Sequence, residues 1–546
     1  MTLAERSAVP AFVRSLAERY GDKPCICLGE QRLSYREIEA RSRSWARGLL
    51  AEGVGKGTRI GLLMPNGPDW VTAWLAATRI GALLVPLNTF YQARELGWVL
   101  RHADVDTLLC VDRFLRNDYL ERLEEFAPEL AGAGPRIQVT ALPYLRSVRV
   151  LGSSERPWTT PLLDLEAFAS ATPETLLEAV EDEVSPADPM VIIYSSGSTA
   201  DPKGAVHTHG GVLRHSHNLN QFRDLHGEDR MYSPMPFFWV GGFVFNLLSA
   251  LHVGASLVTE ELFEPGRTLE LLEAERVTIL SGWPHYSAAL VGHPSFPERD
   301  LSAVRGGNLY DLLPAEQRPT DPLLRSNSLG MTETCGPHTM DRMDRELPEK
   351  LRGSFGRAVP GLDHKIVDPE TGATLGAGEF GEICVRGYSV AQGLYKKERE
   401  EVFDRDGYYH TGDGGQFTAD GVLFFEARLG DLIKTAGANV TPREVEIVME
   451  ELPEVMGAYV VAVPHPERGE NVAAAVVLRE GAELTRGALR DALKRELSAY
   501  KLPRHVWFVE SVPMTDSGKV DKRALAEDLA ARIRAGDAGE PRDGEA

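Results

Sequence analysis

The sequence is short of cysteine, of positive charge and of long apolar runs, and each shortage excludes something. Five cysteines occur in 546 residues: Cys25, Cys27, Cys110, Cys335 and Cys384. None forms a Cys-x-x-Cys pair, and an odd, scattered count suits reduced thiols in a cytoplasmic protein. The formal net charge is -21. That argues against nucleic-acid binding through a general basic surface. Any nucleotide phosphate must therefore meet local cations. The first residues carry Glu5 and Arg6 without a long apolar core, so no signal peptide is expected. Only residues 239–258 approach the length of a membrane span. Asn246, Ser249, His252, Ser256 and three glycines interrupt them, so a buried segment is the better reading and no integral span is expected. Walker A spacing, Gly-x-x-x-x-Gly-Lys-Ser/Thr, is also missing.

What is present suits a soluble protein with two or more cores, with 43% hydrophobic and 25% charged residues. The apolar spacing of Phe12, Leu16, Ala17 and Tyr20 predicts a helix over 10–21. Ser34 and Glu37 have capping-box spacing, so a second helix starts there and stops at Gly53 and Gly55. Arg59–Met64, Leu83–Val85 and Leu108–Val111 read as strands, and Asp69–Ile80 as a helix. This alternation predicts a parallel, helix-covered sheet. Residues 112–185, rich in charge and proline, carry no clear pattern. Strands are also expected at Val191–Tyr194 and Thr278–Leu280. Beyond residue 440 the pattern is a small α/β unit: helix 444–450, strands 458–463 and 473–478, helix 489–497.

The most informative stretch follows the strand ending at Tyr194: Ser195-Ser196-Gly197-Ser198-Thr199-Ala200-Asp201-Pro202-Lys203-Gly204. Its backbone N–H groups, hydroxyls and one lysine are donors that a polyphosphate needs. Residues 234–243, Pro-Met-Pro-Phe-Phe-Trp-Val-Gly-Gly-Phe, form an apolar patch of a kind that is usually core. Residues 326–336 read Ser-Asn-Ser-Leu-Gly-Met-Thr-Glu-Thr-Cys-Gly. Gly330 could bring backbone close to a flat base, and Glu333 is a hard oxygen donor suited to Mg²⁺. Alone, such a Thr-Glu pair is most often a helix start. Thr411-Gly412-Asp413 contains a carboxylate able to accept two hydrogen bonds from a ribose diol. A lone Gly-Asp is usually a turn. Fifteen residues later comes Arg428-Leu429-Gly430-Asp431-Leu432-Ile433-Lys434-Thr435-Ala436-Gly437, and near the end Pro513-Met514-Thr515-Asp516-Ser517-Gly518-Lys519.

Taken together and in this order, these motifs resemble those of the acyl-adenylate-forming enzymes, and specifically the AMP-forming acyl-CoA synthetases of fatty acyl-CoA ligase type. The span Gly53–Asn88, with Asn66, is similar to the opening of such an enzyme. The sequence departs from the family at Trp239, where a histidine is common, and at Leu329, which replaces an aromatic residue. It departs also at Ala427, where glycine precedes the arginine, and at the hinge position, where Gly430 replaces Asp or Lys. The Trp239 departure implies a bulkier, apolar gate in place of any histidine-dependent role.

The resemblance implies an α/β fold with a large multi-subdomain N-terminal domain, 1–429. A small mobile α+β domain, 430–533, would follow, with 534–546 a disordered tail. It implies ATP, Mg²⁺ and coenzyme A as cofactors and a small carboxylic acid, fatty or otherwise apolar, as substrate, and it allows a homodimer. Ser195–Lys203 and Glu333, the latter through Mg²⁺, would hold the phosphates. Gly307, Asn308, Ser328, Leu329, Gly330, Met331 and Thr332 would meet the nucleotide. Asp413 and Arg428 would hold the ribose, and Phe238, Trp239, Gly242 and Gly307 would line the acyl pocket. Lys519 would reach the carboxylate and α-phosphate, with Lys203 and Glu333 as its catalytic partners. Rotation about Gly430 would then replace Lys519 with the segment around Lys434 and Gly437 and open a coenzyme A tunnel. The alternatives are an enzyme loading a carrier protein, a luciferase-like oxygenase, and a non-catalytic acyl-AMP or nucleotide sensor. No carrier domain is recognised after Lys519, which favours coenzyme A. A sensor is disfavoured because Lys519 and Glu333 are both kept.

Overall fold

The computed structural model describes residues 7–195, 202–431, 433–435, 438–440, 442–465, 469–497, 501–515 and 519–537. The chain divides into two compact units, Met1–His364 with Val385–Tyr409, and Lys365–Cys384 with His410–Ala546. By compactness, residues 365–384 and 410–429 therefore group with the C-terminal residues rather than with the rest of 1–429.

The first unit is built on two parallel-rich sheets. The eight-stranded sheet runs, by neighbour, Gly393–Leu394, Lys203–Thr208, Pro189–Ser195, Leu83–Pro86, Arg59–Leu63, Thr107–Val111, Ser147–Leu151 and Thr159–Pro161. All pairings from Pro189–Ser195 to the far edge are parallel; the two involving Lys203–Thr208 are antiparallel. The six-stranded sheet runs Gly306–Gly307, Ile279–Leu280, Arg230–Tyr232, Ser256–Thr259, Pro24–Leu28 and Gln31–Ser34, parallel except for the last hairpin. Helix Pro68–Arg79 is buried along most of its length and carries Trp70 and Trp74 into the shared core.

Local rules hold where they were clear. Ser34 Oγ accepts the Glu37 N–H at 3.2 Å, and Glu37 Oε2 accepts the Ser34 N–H at 2.8 Å, opening helix Tyr35–Ala51. The unpatterned stretch 112–185 contains helices Tyr119–Phe126 and Glu174–Asp182 and two edge-side strands. Their signals are weak because the pieces are short and separated by irregular chain. The apolar run 239–258 is a π-helix Gly241–Leu248, an α-helix Ser249–Val253 and a buried strand Ser256–Thr259, with left-handed Gly254 between helix and strand. No helix among the described residues is long and apolar enough to cross a membrane.

In the second unit, the strand Tyr409–Phe417, from His410 on, pairs antiparallel with Leu423–Arg428. A further sheet contains Ala438–Val440, Ile433–Thr435, Gly469–Leu478 and Val455–His465, with His505–Phe508 parallel to Gly469–Leu478. Helices Pro442–Glu450, Arg486–Glu496 and Lys522–Arg534 complete this α+β unit. The last helix ends in a hydrogen-bonded cap through Asp537, inside the stretch expected to be disordered. Residues 538–546 lie outside the described residues.

Candidate functional site

The polar loop after Tyr194 joins two antiparallel strands, so its two ends are held side by side. Ser195 and Lys203 are cross-strand partners. Ser196, Gly197, Ser198 and Thr199 lie outside the described residues. Against the loop's first residue stands Glu333: Ser195 Oγ lies 3.4 Å from Glu333 Oε1 across 138 residues of sequence. The Glu333 side chain is buried, with 6% of its residue surface exposed. No cationic side chain among the described residues pairs with it. A buried carboxylate without a counter-charge is costly, and its hard oxygens fit a Mg²⁺ ion.

Glu333 is placed by its backbone. Thr332–Thr334 is a single 3₁₀ turn, closed by Cys335 at φ 63° and Gly336 at φ 115°. The Ala391 N–H donates to the Glu333 carbonyl at 2.8 Å. His207 Nε2 lies 2.8 Å from the Thr332 carbonyl. Burial pulls the His207 pKa down to about 4. The ring is thus neutral at neutral pH, with its proton on Nε2 facing the carbonyl. His207 and Ala391 were not singled out in the sequence because each works through a backbone partner more than a hundred residues or about sixty residues away.

Gly330 has a packing reason to be glycine beside the close approach of a base expected of it. A β-carbon there would stand 2.4 Å from the Gly336 backbone, so strand Gly336–Met340 occupies the space of a side chain. The residue itself is exposed, while Leu329, Met331 and Thr332 are half-buried and Ser328 is exposed. Gly307 has φ 123°, and a β-carbon would lie 1.9 Å from the Leu280 carbonyl oxygen. The Asn308 carboxamide is engaged in holding Gly282: Nδ2 donates to Gly282 O at 2.8 Å, and Oδ1 accepts Gly282 N–H at 3.0 Å.

The aromatic patch splits into two roles. Phe237 and Phe243 are core, packed edge-on against Trp70 and Trp74. Phe238 is buried between Phe90 and Trp239, and half-buried Trp239 faces Trp283 at 5.8 Å between ring centroids. Gly242 faces backbone, since a β-carbon would lie 2.1 Å from Pro236 O. Asn66 pins this loop: it accepts the Phe237 N–H at 2.8 Å and donates to Met235 O at 2.9 Å.

In the second unit Asp413 and Arg428 are cross-strand partners, with Nε donating to Oδ1 at 2.9 Å. Asp413 is buried and the Arg428 side chain half exposed. Thr411 sets this strand: its Oγ1 donates to Ile383 O at 2.6 Å and accepts the Asp413 N–H at 3.0 Å. Asp413 thus sits in an extended strand, not a turn. Gly430 lies exposed in a 3₁₀ turn, without a left-handed φ and with open space where a β-carbon would be. Lys434 pairs by backbone with Asn439; Gly437 lies outside the described residues. Lys519 is exposed and closes a loop by backbone bonds to Thr515.

Ser195, the first residue of the polar loop, thus meets a buried acid. Residues 13–395 match the family model of the AMP-binding enzyme, and residues 444–519 match the AMP-binding enzyme C-terminal domain. The chain belongs to this family of adenylate-forming enzymes. It is 30% identical over 533 residues to YngI of Bacillus subtilis (strain 168), an acyl-CoA synthetase by name, covering 95% of this chain and 97% of that one. It is also 30% identical over 536 residues to the mitochondrial medium-chain acyl-CoA ligase ACSF2 of Bos taurus, covering 94% and 86%. Among solved structures, ATP-bound MatB from Rhodopseudomonas palustris matches with a TM-score of 0.78 at 25% identity, over 96% of this chain and 99% of that one.

Proposed function

We propose that the protein activates a carboxylic acid with ATP and passes the acyl group to coenzyme A. The observation that carries this reading is the contact of Ser195, at the mouth of the polar loop, with the buried Glu333, with which no described cationic side chain pairs. A free carboxylate is a poor electrophile. Its oxygen attacks the α-phosphorus of ATP, the bond to the β-phosphate oxygen breaks, and pyrophosphate leaves. The mixed anhydride so formed reacts with the coenzyme A thiolate: a carbon–sulfur bond forms and AMP departs.

Two anions meet in the first step, so positive charge has to be in place beforehand. In this reading Lys203 and the hairpin loop bind the phosphates, and Glu333 would hold Mg²⁺, whose charge would offset that of the polyphosphate. Asp413, kept in its strand by Thr411 and paired with Arg428, takes the ribose. Lys519 would reach over to the carboxylate and α-phosphate. The mobile body begins at Gly430, and its rotation exchanges Lys519 for the Lys434–Gly437 segment. Gly307 and the Phe238–Trp239 pair border the acyl group. Five buried free cysteines suit a cytoplasmic enzyme, and a homodimer completes the proposal, to be tested by sedimentation.

The functional test is pyrophosphate release across a panel of carboxylic acids, followed by coenzyme A-dependent release of AMP. Acid-dependent pyrophosphate release with no response to coenzyme A would support carrier loading. No release with any acid would rule out adenylation.

A further inference from the structure

Beside the edge strand Gly306–Gly307 lies a cavity of about 380 Å³. Its wall includes Gly307 and Asn308, and apolar surface from Phe245 of the π-helix, Leu313 and Met343. The Phe238–Trp239 pair does not line it. Its charged residues are instead unusual for a fatty-acid tunnel, and their pairing is uneven.

Three arginines line the cavity. Arg305 is matched: it binds Asp229 at 2.5 and 2.9 Å and Asp224 at 3.3 Å. The lining acids Asp224 and Asp344 are matched too, Asp344 by Nε and Nη2 of Arg342, each at 2.6 Å. Glu316 is exposed. Arg223 and Arg325 differ, because no carboxylate among the described residues pairs with either. Arg223 lies over the Phe245 ring, 3.8 Å from its centroid, and among the described residues donates only to Phe245 O and Asn246 Oδ1. Desolvation lowers its pKa to about 9, which leaves it charged at neutral pH. Arg325 is 9% exposed. It donates to two carbonyls, of Gln317 at 3.0 Å and Met343 at 3.3 Å, and its buried Nε has no partner among the described residues. Arg223 is half-buried and Arg325 buried, and a guanidinium so placed without an acid is costly unless an anion joins it; the fork of an arginine fits a carboxylate in particular.

We propose that this cavity binds the distal end of the acyl substrate and that Arg223 and Arg325 recognise a second carboxylate there, making the substrate a dicarboxylic acid. The inference rests on the ligase reading above, in which Gly307 borders the acyl group. The stem passes Gly307 and the walls of Phe245, Leu313 and Met343, while the reacting carboxylate stays at the nucleotide.

The test is calorimetric binding of non-reactive acyl sulfamoyladenosines with chains of about four to ten carbons, sized to a pocket of this volume. Each is made in two forms, ending in methyl or in carboxylate. Charge-assisted hydrogen bonds predict at least about tenfold tighter binding of the carboxylate form at the best length. Arg325→Met should abolish that preference and Arg325→Lys keep part of it. If the wild-type protein binds the methyl form as well or better at every length, the inference is overturned while the ligase reading stands. If it binds neither form, both fall. The wild-type comparison decides even where the variants do not fold.

Discussion

Replacing Glu333 by Gln separates a binding role from a structural one, because the two predict opposite signs. The side chain is 6% exposed, and its described polar contact is one hydroxyl, Ser195 Oγ at 3.4 Å. Gln keeps shape and volume and can accept from the same hydroxyl. It removes a desolvated charge that no described cation offsets. Replacing buried charge by a neutral group of similar size is neutral or stabilising, here by about 1 kcal/mol in the protein without ligands. The same change should lower the adenylation rate by roughly 10²–10³, the usual cost of losing one preorganised electrostatic contact. It should also weaken the response to Mg²⁺. Thermal melts of the free protein, paired with pyrophosphate release over a Mg²⁺ titration, read both effects. A destabilised variant with an unchanged Mg²⁺ response would refute the reasoning and leave Thr332–Thr334 a structural turn.

Three further outcomes are expected. Lys519→Ala should lower adenylation roughly 10²–10³-fold yet spare thioester formation from supplied acyl-AMP, with no change in melting because Lys519 is exposed; equal loss in both half-reactions would sink the two-state scheme. Gly430→Ala should leave the fold intact, as a β-carbon there meets open space. Gly430→Pro should impair one half-reaction far more than the other by locking φ, and parental rates in both would move the hinge elsewhere. The buried histidines His207, His209 and His215 have pKa values pulled down by burial to about 4, 4 and 3. Below about pH 6.5 the unfolded chain binds protons that the folded one does not, so stability falls with pH, by about 2 kcal/mol per histidine at pH 5. Urea midpoints from pH 7.5 to 5 should show this, and His215→Gln should flatten the slope; a stability that rises on acidification would contradict it.

Much of the framework was legible because its determinants are local. The Ser34–Glu37 box needs only residues three apart, and the parallel sheet announces itself by strand–helix alternation. The order of the motifs from Ser195 to Lys519 pointed to the adenylate-forming family, as the family model bears out. What each residue does was another matter, because contact partners lie far away in sequence. Gly330 read as a site for close approach of a base; that a neighbouring strand also fills its side-chain space is seen only in the fold. Asn308 read as a ligand residue, and its carboxamide holds Gly282. Phe237 and Phe243 looked like Trp239 in sequence, but packing against Trp70 and Trp74 makes them core. Most of all, arginines at 223, 305 and 325 are alike in the sequence. Only the tertiary structure pairs one with acids and leaves two, among the described residues, without one, because charge compensation depends on distance in space, and the chain's order does not determine it.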